Sequence, residues 1–234
     1  MKSVSTLAAL TLAAALTISG CSNSTGSDNA TTPAPTTAAP SQTSEAAPEK
    51  AGPTSDELAE KFAGVKLGDS ELTVEEGDGL LEAVASGASD AGFEFDPHAC
   101  AEAMFGPYER ILATDSERAV GTTEEGITFV LLGFATDEDA SDFITESADL
   151  IDQCATYTVS APAAGEGSMS PADITVADAD DQIGIDAITT LDDADTPMSQ
   201  VIARKGNIVV VATAMAGLAS VEDLAATSAE VLAN

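Results

Sequence analysis

Apolar positions divide the chain into three stretches. Residues 7–18 (LAALTLAAALTI) form one apolar run without a charge. Residues 22–53 hold no Leu, Ile, Val, Met or aromatic side chain. From residue 54 onward, apolar positions recur with the periods of helices and strands. Thr54 and Glu57 read as a capping box ahead of a Leu58, Phe62, Val65 stripe at helical spacing. Residues 72–75 suit a short strand, and residues 79–91 a loose helix rich in Ala and Gly. Asp96-Pro97 reads as a helix cap with Pro at the first helical position, opening a short helix through Met104. Residues 126–134 (GITFVLLGF) are continuously apolar, the mark of a strand buried on both faces. The plainest helix covers 136–154. Thr136 and Asp139 cap it, Asp137, Glu138 and Asp139 suit its positive end, and Ala140, Phe143, Ile144, Ala148 and Ile151 share one face.

Strand candidates then crowd together at 156–160, 174–176, 183–188 and 198–203. Lys205-Gly206-Asn207 is turn chemistry joining 198–204 to 208–214 as a hairpin. Ser220 and Asp223 cap a last helix whose inner face is Val221, Leu224, Ala225, Ser228 and Leu232. Clustered strands between helices predict the α+β class: an antiparallel sheet with helices packed on it.

The N-terminal run is too short to span a bilayer core, which needs roughly 20 residues. Behind Met1 and Lys2 it fits the apolar region of a secretory signal peptide. Ile18-Ser19-Gly20-Cys21 follows it and resembles the lipobox of bacterial lipoproteins. That resemblance implies export of residues 1–20 as a signal peptide, acylation of Cys21, and a chain held on the bilayer by its acyl groups. No twin-Arg pair is present, which favours the general secretory route. Of the 32 residues from 22 to 53, 23 are Ser, Thr, Pro or Ala. Such a stretch buries too little apolar surface to offset its ordering entropy, so 21–53 reads as a disordered tether spanning about 30 Å as a flexible coil. Residues 54–234 are expected to form one extracytoplasmic domain, large enough for a core of its own.

Charge narrows the partners. Eight Lys and Arg stand against 40 Asp and Glu, a formal net charge of −32. Nucleic acid is excluded as an expectation, because phosphate binding needs clustered cations. The single histidine, His98, rules out the His-pair zinc motifs, and it reads as a surface residue at a helix start. No nucleophile elbow or phosphate-cradling Gly loop occurs, so neither an enzyme nor a cofactor is expected. Asp178, Asp180 and Asp181 begin like a calcium loop. Ile183 and Thr189 stand where that loop needs Gly and Glu, so no metal ligands are assigned. Asp192, Asp193 and Asp195 have no better support. With Cys21 lipidated, Cys100 and Cys154 remain. An even remainder outside the cytoplasm points to a disulfide, with two buried thiols or a redox pair as the other readings.

From residue 96 onward the chain resembles actinobacterial lipoproteins carrying a PknH-like extracellular sensor domain. Three stretches carry the resemblance: Asp96-Pro97-His98-Ala99-Cys100, the helix from Ala135 to Phe143 that runs on to Cys154, and Ile202-Ala203-Arg204-Lys205-Gly206-Asn207-Ile208-Val209-Val210-Val211 before a final amphipathic helix. It implies a sheet with two packed helices and a cleft for a ligand. A second Cys pair, frequent in that family, is absent, and Ile151-Asp152-Gln153 replaces an aromatic residue often found before the helix-ending Cys. No ligand residues are carried over. The resulting expectation is a lipid-anchored protein on the outer face of the cell membrane, held in the bilayer through Cys21 and displaying a sensor-like domain for an unknown small ligand. The alternative is an envelope lipoprotein that engages a protein partner and no small ligand.

Overall fold

A nine-stranded antiparallel sheet organises the protein, in a computed structural model that describes residues 52–90, 92–114, 116–160 and 164–234. In chain order the elements are α1 (Ser55–Glu60), β1 (Lys66–Leu67), β2 (Ser70–Glu71), β3 (Thr73–Glu75), α2 (Gly79–Asp90), β4 (Glu94–Asp96), α3 (Ala99–Met104) and α4 (Gly106–Ala113). There follow β5 (Glu117–Thr122), β6 (Thr128–Gly133), α5 (Asp137–Asp152), β7 (Thr156–Ser160), β8 (Gly165–Ala172), β9 (Asp181–Leu191), β10 (Ala194–Lys205), β11 (Ile208–Met215) and α6 (Val221–Ala233). The strand order is β3-β5-β6-β11-β10-β9-β8-β7-β4, and β1 and β2 form a separate small ribbon. The signal-peptide run, Cys21 and the tether up to residue 51 lie outside the described residues.

Strand alternation sorts the core onto two faces. On β11, Val210, Ala212 and Ala214 join Leu58 of α1, Phe62 just beyond it, and Leu224 and Leu232 of α6. Val209 and Val211 point the other way, toward Leu81 of α2, Tyr108 and Ile111 of α4, and Phe143 of α5. Every residue of β6 is buried, as a continuous apolar run between two helical layers requires. A third cluster at the β7–β9 end gathers Cys100 and Met104 of α3, Ile151 of α5, Cys154 just beyond it, Tyr157, and Ile185.

Capping sets the helix starts. Thr54–Glu57 and Ser220–Asp223 are full capping boxes, and the Thr136 hydroxyl accepts from the Asp139 amide at 3.1 Å. Two hairpin turns differ in chemistry. Gly206 (φ 59°) takes the left-handed position between β10 and β11 without a Cβ penalty. Asp192 and Asp193, between β9 and β10, adopt φ of 51° and 63°, a region that aspartate enters more readily than most residues with a Cβ.

The fold class agrees with the pattern, but two elements depart from it. Asp96 does not cap a helix. It ends β4, paired with Thr158 of β7, and His98 starts α3 with no side-chain cap. Sheet pairing around Phe95, opposite Val159, takes the backbone that a helix cap would use. Residues 174–176 do not form a strand. The Gln182 side chain accepts from the Val176 amide at 2.7 Å and donates to the Ile174 carbonyl at 2.7 Å, so an amide side chain replaces a neighbouring strand. Ile174 and Val176 are buried all the same, which explains their strand-like pattern. Six helices cover the sheet, where the family resemblance implied two.

Candidate functional site

The helical layer over the Val209–Val211 face does not close completely. Leu81 and Ala85 anchor α2 in that layer. Leu80, Ala83 and Val84 of the same helix look onto an open space of about 350 Å³. Met104, Phe105 and Tyr108 form the opposite wall, where α3 gives way to α4. Pro107 in the first turn of α4 keeps the two helices separate and turns Phe105 and Tyr108 toward the space. The floor is Thr128 of β6, Met198 of β10, and Thr213 and Met215 of β11. The volume falls within the range of small-molecule sites, and the lining is mostly apolar. Three of the five methionines, Met104, Met198 and Met215, lie in it, and an unbranched thioether adapts readily to a varied apolar shape.

A polar triad sits beneath this lining. Tyr108 Oη donates to Thr213 Oγ1 at 2.5 Å, and Gln200 Nε2 donates to the same oxygen at 3.0 Å. Burial pushes the Tyr108 phenol up to about 12, against the smaller pull of the Thr213 and Gln200 hydrogen bonds. Gln200 is 0% exposed and its Oε1 has no hydrogen-bond partner among the described residues. Gln200 pairs in register with Thr213, and Met198 with Met215, so the orphan acceptor belongs to the sheet face that floors the cavity. A buried acceptor left unpaired costs about 1–3 kcal/mol, which marks a place where a donor is missing.

The apolar cavity adjoins a second, more polar one of about 460 Å³. Phe93 and Phe105 line both, so the two meet at those rings. Phe95 packs edge-on to Phe105 with centroids 6.1 Å apart. Around these rings stand Glu94, Glu102 and Glu109, all exposed, and His98, whose Nδ1 lies 3.3 Å from Glu102 Oε1. Among the described residues no Lys or Arg lines either space. The disulfide between Cys100 and Cys154, with Cα atoms 5.2 Å apart, ties α3 to the end of α5 and so holds Glu102 and Phe105 in place.

The arginines are occupied elsewhere. Arg110 bridges α4 to α5, donating to Ser147 Oγ at 2.6 Å with its guanidinium 4.7 Å above the Phe143 ring. A space of about 420 Å³ opens beside it, rimmed by Asp139, Asp142 and Glu146. Arg118 grips both Asp78 oxygens at 2.8 and 2.7 Å and also donates to the Ile111 carbonyl at 3.1 Å. It thereby fastens the start of α2 to α4 and β5. Arg204 pairs with Asp180 and Asp181. These two acids of the calcium-like stretch are therefore partners of a guanidinium. Among the described residues no group of three potential metal ligands occurs.

Sequence reasoning brought forward Cys100, Cys154 and His98, of which His98 lines the polar space, and the family resemblance implied a cleft without naming any residue of its lining. One signal was present: of nine aromatic residues, Phe93, Phe95, Phe105 and Tyr108 fall within 16 positions. Cys21 lies outside the described residues. No helix among the described residues is long and apolar enough to cross a membrane.

No protein-family model matches the chain, nor does any curated protein. Among solved structures, the chain is similar to the extracellular domain of PknH from Mycobacterium tuberculosis, with 17% identity and a TM-score of 0.47 over 61% of this chain and 78% of that one. It is also similar to a putative uncharacterized protein, the Rv0999 ortholog of Mycobacterium smegmatis, with 14% identity and a TM-score of 0.32 over 61% of this chain and 75% of that one.

Proposed function

We propose that this chain is a membrane lipoprotein, fastened to the outer face of the cell membrane through an acylated Cys21, and that its folded part is a sensor-like module binding a small, largely apolar ligand between α2 and the α3–α4 wall. The observation that carries the binding reading is the Met-lined cavity with the orphaned Gln200 acceptor under its floor. Its chemistry is recognition and not turnover. The lining supplies apolar contact and a weakly acidic phenol, and the paired acids and bases nearby are engaged in holding helices together.

Two measurements test the two halves. Metabolic palmitate labelling should mark the wild-type chain and leave Cys21→Ala unlabelled and released from cells; equal labelling of both removes the anchor. Native mass spectrometry of the full chain isolated from its host envelope should show a co-purifying small molecule, absent from a Val84→Trp variant whose indole fills the space. A wild-type chain that carries nothing, and whose melting temperature no envelope extract shifts, would contradict the binding reading.

A further inference from the structure

Resting on that reading, we infer that the ligand is a cationic amphiphile: an alkyl chain in the Met-lined cavity and an ammonium group in the adjoining aromatic and acidic mouth. The two spaces share Phe93 and Phe105 as lining residues, which sets the acidic mouth beside the apolar cavity. Phe93, Phe95 and Phe105 line the mouth, and an aromatic ring attracts a cation placed over its face. Glu94, Glu102 and Glu109 surround those rings with carboxylates, while among the described residues no Lys or Arg lines the mouth or the cavity. All three arginines of the chain are already engaged with carboxylates on neighbouring elements. An anionic headgroup would find no Lys or Arg here, only His98 already beside Glu102, and would face a chain of net charge −32. A neutral headgroup would leave the aromatic mouth unused.

Isothermal titration calorimetry on the full chain in nanodiscs of an uncharged glycosyl diacylglycerol, which carries no ammonium group, with empty discs as reference, tests this with three probes of one chain length. Octyltrimethylammonium should bind at least about tenfold more tightly than 1-octanol, and octyl sulfate more weakly than either. A Glu102→Gln/Glu109→Gln variant should bring octyltrimethylammonium to within about threefold of 1-octanol and leave 1-octanol unchanged. Glu222→Gln/Glu230→Gln on α6, across the sheet, removes the same charge and should change none of the three. Equal affinity for the cationic and neutral probes, or an equal loss from the α6 variant, overturns the cationic headgroup while the apolar site stands. If no probe binds, and Val84→Trp alters nothing, the inference falls together with the binding reading.

Discussion

Tyr108 shows how much depends on single polar atoms in this core. Its hydroxyl is satisfied by Thr213, and burial still holds the phenol at about 12. The folded value lies above the unfolded value of about 10, so this group contributes stability in full below about pH 10 and loses it as pH rises toward 12. Tyr157, half-buried against Thr189, is also raised by desolvation. These are the only two tyrosines and the chain has no Trp, so tyrosinate absorbance reads them directly. In the folded protein Tyr108 should give no tyrosinate step near pH 10, and Tyr157 should ionise later than a free tyrosine. A two-tyrosine step near pH 10 with the far-ultraviolet dichroism unchanged would contradict the packing around Tyr108.

Elements with a strong local signal were legible before the fold was known. The Thr54, Thr136 and Ser220 caps, the run around Val130 and Leu131, and the Gly206 turn each combine a pattern with a mechanism that tertiary contacts do not overrule. β8 (GEGSMSPA) was not legible, because Met169 is its one buried residue and its pairing with β7 and β9 supplies the order. α4 was hidden by Pro107, which reads as an end to one helix and here begins another. The lining of the cleft was illegible for a related reason. Its walls come from α2, the α3–α4 junction, β6 and the β10–β11 hairpin, none of which announces a partner. α2 itself is held by Leu81, Ala85 and the Arg118–Asp78 pair. Arg118 hydrogen bonds hold the Asp78 carboxyl below its ordinary value. The stabilisation is therefore present above about pH 4 and lost as pH falls through the lower folded value. Asp78 is 39% exposed, so solvent keeps the pair worth under about 1 kcal/mol. Asp78→Asn should lower the melting temperature by about 2–3 °C at pH 7, with the difference shrinking as pH falls below about 4. A difference that persists unchanged at low pH would mean the carboxylate is not what holds α2.

At the scale of the whole molecule, charge, crosslink and cleft fit one arrangement. Forty acids keep the surface solvated, and the few cations are spent on fixing helices over the sheet. The Cys100–Cys154 bond closes a loop of 54 residues, worth about 4 kcal/mol in the chain-entropy model, and it braces the wall carrying Phe105 and Glu102. The opposite wall, α2, is braced by no crosslink, so the cleft has one fixed side and one side held by weaker contacts. This is the asymmetry expected of a site that admits a ligand by movement of a single helix. The central claim is that binding occurs in this Met-lined space, and methyl-labelled methionine NMR addresses it most directly. Titrating the protein with extract of its host envelope should shift the methyl signals of Met104, Met198 and Met215. Met169, packed on the β8 side of the third core cluster, should stay in place. Shifts confined to Met169, or no shift in any of the four, would contradict the account.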